Sequence, residues 1–227
     1  MLENSHGNRT QVAAERLRRM IIAGDLAPGQ RISEREIGEH LEGLSRTPLR
    51  EAFKILAAEG LLTIFPNRGA TVTALSLAEV DEAIELLVGL EGLAAEAACA
   101  RISDAEIDAI SELHQRMCAA FHAQRLMEYF EINQAIHQRI VDAAHNGVLA
   151  RIYTAECARI RRYRYAGNRR HERWERAVAE HGQIFASIKE RNGPLLRELL
   201  RAHHHNGWLV SRRLLGREFE RGGQAVR

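Results

Sequence analysis

Four polar side chains in the second half of the chain have the residue types and the spacing of a metal site. Asn133 and His137 are four residues apart, so they lie on one face of a helix. His181 precedes a helix break at Gly193 by twelve residues, and His203 follows that break by ten. Because a helix rises about 1.5 Å per residue, the two histidines lie ~18 Å and ~15 Å from the turn, nearly level on antiparallel neighbours. Three imidazoles and an oxygen ligand suit a divalent metal ion such as zinc, nickel or manganese.

Each of these residues also has a simpler interpretation. A single histidine on a helix is usually a hydrogen-bonded polar side chain, and the run from His203 to His205 could be exposed to solvent. Spacing alone does not decide between a metal site and this interpretation.

A second group of residues has the chemistry of an anion site. A helix is predicted to begin at Thr47, with Pro48 in its first turn, and to end before Gly60. Arg46 and Arg50 lie four residues apart at its start, where the helix dipole is already positive. A bound phosphate would offset this positive charge, because the free backbone N–H groups, the helix dipole and the guanidinium groups all attract an anion.

The residues around this helix fit a DNA-binding helix-turn-helix. In that motif the N-terminal residues of the second helix enter the major groove, where arginine can pair with guanine. Ser45 and Thr47 can reach phosphates or bases, and Arg35 on the preceding helix is placed to contact the DNA backbone. Arg68 at a predicted hairpin tip can enter the minor groove, with Gly69 allowing a close approach.

The alternative is that these arginines are ordinary surface charges. Against it, the basic side chains converge, whereas Glu51 and Glu59 are the only acidic residues predicted nearby. DNA binding is therefore the favoured interpretation.

The elements that carry these arginines are short and separated by Gly and Pro. An apolar helical face runs from Ala13 to Ile21, and Ser33 with Glu36 forms a capping-box pattern for a second short helix. Two β-rich runs flank a four-residue tip at 66–69. Three helices and a two-stranded hairpin predict a winged helix-turn-helix over residues 10–75.

The rest of the chain predicts an all-α bundle over residues 76–216, so the protein as a whole is predicted to be mainly α. Ser76, Ser103 with Glu106, and Asn146 provide N-cap signals. Residues 1–9 and 217–227 are predicted to be disordered tails. The six predicted helices are 76–101, 103–122, 125–144, 147–167, 171–192 and 194–215.

Composition sets broad limits on the class of protein. The 227 residues include 32 basic and 30 acidic side chains, so any basic patch must be local. Three cysteines cannot all pair within the chain, which favours reduced thiols. We find neither a signal-peptide core nor an apolar run of membrane-spanning length, and these features predict a cytoplasmic protein without a membrane partner.

The N-terminal part resembles the DNA-binding domain of GntR-family bacterial transcription regulators over about residues 10–75. The motifs that carry the resemblance are "GDLAPGQRISE", "SRTPLREA", "L-x-x-EGL" and "P-x-RG-x-x-V". The resemblance implies a homodimer that binds a palindromic operator. The residues it places against DNA are Arg35, Ser45, Arg46, Thr47, Arg50, Arg68 and Gly69.

The C-terminal part resembles the FCD ligand-binding domain of the FadR subfamily, through "LEGLAAEAA" and "H-x-x-I-x-x-A-x-x-N". The resemblance implies a divalent metal ion held by Asn133, His137, His181 and His203, with a small organic acid as effector. Asn133 stands where Asp is common. The effector is expected to contact an arginine of the 159–164 run, and the candidates are Arg159 and Arg162. Leu87 occupies a position where many members carry an arginine that anchors the carboxylate.

Two other functions are compatible with a helical bundle. A metal-loaded bundle could be an enzyme, but the sequence offers no Glu-x-x-His pairs in the helical half, no HExxH helix and no nucleophile elbow. The bundle could also serve only for dimerisation or protein interaction. We therefore predict a regulator rather than an enzyme.

Overall fold

The computed structural model describes residues 2–41, 45–66 and 68–224, with side chains described from Arg9 to Arg217 within those ranges. The chain forms two compact units, Met1–Ser76 and Leu77–Arg227. This division falls within one residue of the predicted boundary. None of the helices in the described ranges has an apolar stretch long enough to cross a membrane.

The first unit is a winged helix-turn-helix. Its elements are α1 (Leu2–Ala23), β1 (Arg31–Ile32), α2 (Glu34–His40), α3 (Arg46–Ala58), β2 (Leu62–Phe65) and β3 (Gly69–Val72). Its apolar core joins α1 and α3 to the sheet, with Leu17, Leu49 and Leu56 fully buried. The sheet has three antiparallel strands in the order β1-β3-β2, so the predicted two-stranded hairpin gains a short third strand, β1. With two residues, β1 is too short to show an alternation of apolar and polar side chains in the sequence.

The second unit is entirely helical over its described residues, which confirms the predicted fold class. It has seven helices rather than six, because the predicted helix 147–167 is broken at Ile160. Ile160 is fully buried with φ −101° and ψ 8°, so the break follows from packing and not from Gly or Pro. The helices are α4 (Leu77–Arg101), α5 (Asp104–His122), α6 (Leu126–Asp142), α7 (Gly147–Arg159), α8 (Arg161–Asn168), α9 (His171–Lys189) and α10 (Gly193–Gln224).

Three of the predicted N-cap signals are present at helix starts in the structure. Ser33 and Ser103 both form the predicted capping boxes, and the Asn146 side chain caps α7. Helix α3 begins at Arg46, one residue earlier than predicted, with Ser45 as its N-cap. Helix α1 begins at Leu2 and α10 ends at Gln224, so helix extends into both segments predicted as tails. Once a helix has nucleated, each added residue gains a hydrogen bond, which favours such extension.

Candidate functional site

The start of α3 presents open hydrogen-bond donors beside positive charge. The Ser45 side chain forms no cap bond, and no acidic residue lies in the first turn. Pro48 and Leu49 are buried in the core, whereas Arg46 and Thr47 are exposed. The packing of one face of α3 therefore turns the N–H groups and the arginines of the other face towards solvent.

A groove of about 620 Å³ collects most of the predicted DNA-contacting residues of this unit. Ser45, Thr47 and Arg68 are exposed but do not line it. Its lining residues are Ser33, Glu34, Arg35, Arg46, Arg50, Phe53, Lys54, Ile64, Phe65, Pro66 and Gly69.

Glu34 corrects the prediction about nearby acids. Its carboxylate lies 2.9 Å from Arg50 Nε and 3.2 Å from Arg50 Nη2, and this hydrogen bonding raises the pKa of Arg50. Glu34 precedes Arg50 by sixteen residues, so it was not among the acidic residues, Glu51 and Glu59, that the sequence places near the helix start. The Arg50 side chain is 65% exposed, and an exposed ion pair is easily exchanged for another anion.

Gly69 has a structural role in the packing of the sheet, in addition to its predicted place at the DNA interface. Its φ is +79°, and a Cβ atom there would lie 2.5 Å from the carbonyl oxygen of Ile32. The glycine therefore lets β3 lie against β1, whether or not DNA is bound.

Replacing Gly69 by alanine is expected to destabilise the N-terminal unit by about 1–3 kcal/mol, because the residue combines a left-handed conformation with a backbone clash. Chemical denaturation followed by circular dichroism measures this loss. The exposed Arg68→Ala variant is the control and should unfold like the parent. Equal stability of all three proteins would contradict the structural role of Gly69.

The predicted histidines do converge in the C-terminal unit. His137 on α6, His181 on α9 and His203 on α10 have ring centroids 4.7–5.1 Å apart. All three are buried, and so is Asn133 on α6. One ligand nitrogen from each histidine lies within 4.8 Å of the others.

Several polar atoms of this cluster have no hydrogen-bond partner among the described residues. They are Asn133 Oδ1, His137 Nε2 and both ring nitrogens of His181. A buried polar atom without a partner costs free energy, and a bound metal ion would satisfy several such atoms that face one another. The donor set of imidazole nitrogens and an amide oxygen fits a divalent transition metal.

Glu91 on α4 contacts His137 and two further polar side chains. Its carboxylate lies 3.2 Å from His137 Nδ1 and 2.6 Å from His204 Nε2, and it also accepts a hydrogen bond from the Tyr153 hydroxyl. Glu91, His137 and His204 form a second group with potential ligand atoms in close proximity. The sequence analysis missed Glu91 and His204. A single acid within the apolar run "LEGLAAEAA" was the available signal for Glu91.

Glu180 supports His203 in the same way. Its Oε2 lies 2.7 Å from His203 Nδ1 and 2.8 Å from Arg173 Nη1, while Arg173 Nη2 donates to the His203 backbone oxygen at 3.2 Å. A carboxylate at Nδ1 fixes the tautomer that carries the proton there, which leaves Nε2 free as a ligand. The same argument applies to His137 with Glu91.

Burial sets the charge of these groups. It lowers the pKa of His181 well below its ordinary value, and the neighbouring His203 and His137 lower it further. Burial also lowers the pKa of His203. Burial alone would raise the pKa of Glu91, but His137 and His204 hold it well below its ordinary value. His181 and His203 are therefore neutral near pH 7, the form of imidazole that binds metals.

A cavity of about 40 Å³ adjoins the cluster, and one of its two arginines, Arg164, belongs to the predicted 159–164 run. Arg164 and Arg173 line it, whereas Arg159 and Arg162 do not; Arg159 Nε instead lies 3.3 Å from Glu156. Leu87 is fully buried in α4. The lining residues are Ile84, Phe130, Asn133, Gln134, Arg164, Asn168, Arg173, Ala177, His203, His204, Gly207, Trp208 and Ser211.

Each of the two units matches a known protein family. The model of the gntR family of bacterial regulatory proteins matches residues 9–72, and the FCD domain model matches residues 82–206. The chain is 32% identical to an HTH-type transcriptional regulator in an unstable DNA locus of Streptomyces ambofaciens, over 88% of this chain and 83% of the relative. It is 29% identical to the HTH-type transcriptional repressor RspR of Escherichia coli (strain K12), over 82% of each chain.

A solved structure shows the same fold. The structure of E. coli McbR/YncC matches with a TM-score of 0.72 at 19% sequence identity, over 89% of this chain and 96% of that chain. The matched domains and relatives are those of transcription regulators and not of enzymes. The chain therefore belongs to the gntR family of bacterial regulatory proteins, as a DNA-binding transcription regulator with a C-terminal FCD domain.

Proposed function

We propose that this regulator is a cytoplasmic homodimer of the FadR subfamily whose affinity for a palindromic operator changes when a small carboxylate binds at a divalent metal ion in the FCD domain. The observation that carries the proposal is the convergence of three buried imidazoles and the Asn133 amide with unpartnered atoms. When bound, the ion would supply a Lewis-acidic point of attachment for the effector.

Each residue of the cluster has a defined part in this proposal. Asn133 Oδ1, His137 Nε2 and His203 Nε2 are ligand atoms, together with one nitrogen of His181. Glu91 and Glu180 orient His137 and His203 through their Nδ1 atoms. Zinc, nickel and manganese all accept such a donor set, and the arrangement does not select one of them.

The charge of the ligand set favours an anionic effector. Three neutral imidazoles and a neutral amide do not offset the two positive charges of the metal ion. Arg164 and Arg173 add positive charge in the adjoining cavity. A carboxylate can bind the ion and pair with a guanidinium at the same time, which makes these two arginines better candidates than Arg159 and Arg162.

On the DNA-binding side, we propose that Arg46 and Arg50 contact bases or phosphates in the major groove. Ser45, Thr47 and Arg35 would position the helix on the DNA backbone, and Arg68 and Gly69 would contribute contacts from the wing. Two recognition helices about one DNA turn apart require a two-fold dimer, which matches a palindromic site. Repression relieved by the effector is the favoured mode, supported by the name of the E. coli relative, a transcriptional repressor.

Operator affinity with and without metal tests this function. Duplexes selected by the protein from a random DNA pool provide the operator, and fluorescence anisotropy gives the affinity of chelator-treated, zinc-loaded and zinc-plus-acid samples. A panel of small mono-, di- and hydroxycarboxylic acids should include one that changes operator affinity about 5–150-fold only when zinc is present.

An FCD domain that serves only for interaction predicts a different outcome. In that case neither zinc nor any acid should raise the melting temperature of the full chain, whereas tight binding raises it by mass action. A flat melting temperature across the panel would favour this second function.

The Glu91→Gln variant is expected to lower zinc affinity about 10–100-fold, because the amide holds the His137 tautomer less firmly than a carboxylate does. Competition with a zinc-binding dye measures this change. Glu96→Gln, an exposed acid on the same helix, is the control and should bind zinc like the parent. Equal affinities for the two variants would contradict the proposed role of Glu91.

A further inference from the structure

A groove on the C-terminal unit is surrounded by five arginine side chains, and the proposed function uses one of them, Arg173. It lies between the first turns of α9 and the C-terminal half of α10 and has a volume of about 270 Å³. Its residues come partly from the basic run "RIRRYRYAGNRRHERWER". The lining residues are Arg170, Glu172, Arg173, Arg176, Val210, Arg213, Leu214 and Arg217.

The charge of this groove is unbalanced among the residues that the structure describes. Five guanidinium groups face one carboxylate, that of Glu172. The exposed arginines of the groove form no ion pair with another described residue, whereas the adjacent Arg212 pairs with Asp81 at 2.9 Å. Like charges held around one concavity repel each other, and a bound anion would offset that repulsion.

Arg173, which also lines the inner cavity, provides a second observation at this groove. Its side chain is 5% exposed, and its Nε has no hydrogen-bond partner in the described part of the chain. Glu180 pairs with Nη1 of the same guanidinium, so that nitrogen has an acidic partner whereas Nε does not. Arg173 lines both this groove and the inner cavity, so one of the residues that line the groove is a buried donor that is not fully hydrogen-bonded.

We propose that this groove binds a phosphorylated small molecule, such as a phosphate ester or a diphosphate. A phosphate group offers up to two charges and three acceptor oxygens, so several arginine forks can engage it at once, which a single carboxylate cannot match. Val210 and Leu214 provide an apolar surface for the organic part. The groove is a concavity within one unit and not an extended basic stripe, which favours a small molecule over duplex DNA.

Calorimetric titration of the metal-free full chain with pyrophosphate tests this site. We expect saturable binding of one pyrophosphate per chain. The double variant Arg176→Gln with Arg213→Gln removes one arginine from each wall and should weaken binding at least about tenfold, since a charge-assisted hydrogen bond contributes more than a neutral one. The control double variant is Arg116→Gln with Arg151→Gln, which loses the same charge from exposed positions outside the groove and should bind like the parent.

Three results would overturn the proposal: no saturable binding, an equal loss in the control variant, or a loss of operator affinity in the groove variant with pyrophosphate binding unchanged. The last result would show that the groove contacts DNA. Circular dichroism verifies that both variants are folded. Because the titration uses metal-free protein, its failure would leave the proposed metal site untouched.

Discussion

Replacing His181 by alanine is expected to reduce zinc affinity by more than the roughly 10–100-fold that follows from losing a hydrogen-bond partner of a ligand. His181 has both ring nitrogens buried and without a hydrogen-bond partner among the described residues, and the proposed metal ion would bind one of them. Burial and its imidazole neighbours keep it neutral, so little proton release opposes metal binding near pH 7. Titration against a competing chelator of known zinc affinity measures the loss.

The adjacent histidine run supplies a matched control for this experiment. His205 lies two residues from His203 on the same helix but is exposed, and His205→Ala should bind zinc like the parent. Without metal, we expect His181→Ala to lose less free energy of unfolding than it loses free energy of zinc binding. The substitution removes packing, but it also removes two buried ring nitrogens that have no partner. A His181→Ala protein that binds zinc as tightly as His205→Ala would refute the role of His181 as a ligand.

Replacing Arg46 and Arg50 together by alanine is expected to abolish specific operator binding while leaving the fold intact. A bidentate arginine–base contact contributes about 1–3 kcal/mol of discrimination, so the double variant should approach non-specific affinity. Arg46 forms no ion pair among the described residues, whereas Arg50 must exchange Glu34 for DNA. We therefore expect Arg46→Ala alone to cost more than Arg50→Ala alone.

Arg16→Ala is the control for this second prediction. Arg16 is an exposed arginine on α1 of the same unit, so the variant loses one positive charge outside the groove. Anisotropy titrations at several salt concentrations distinguish phosphate contacts from base contacts. Each lost phosphate contact lowers the slope of log affinity against log salt concentration by about one. Operator affinity unchanged in the double variant would remove the start of α3 from the DNA interface.

The histidine cluster shows how far sequence reasoning can reach in this fold. The pairing of His181 with His203 follows from helix rise and one Gly-Pro break, which are local properties, and the structure brings the two rings to 4.7 Å. Glu91 and His204 could not be placed in that way. Glu91 reaches His137 across forty-six residues, and its orientation depends on how α4 packs against α6.

The arginines of residues 159–176 illustrate a second limit. Where arginines recur along a helix, periodicity does not identify the one that faces the interior. The buried break at Ile160 separates α7, which carries Arg159, from α8, which carries Arg162 and Arg164. Arg164 and Arg173 line the cavity, whereas Arg159 and Arg162 do not. No breaker residue marks Ile160 in the sequence, so the break depends on tertiary packing.

X-ray absorption spectroscopy of the zinc-loaded full chain tests the central claim most directly, because it reports the atoms around the ion. Our account predicts one zinc ion per chain in a site of nitrogen and oxygen ligands at about 2.0–2.1 Å, including three imidazoles. A spectrum with sulfur ligands at about 2.3 Å, or a protein that retains no stoichiometric zinc, would contradict it.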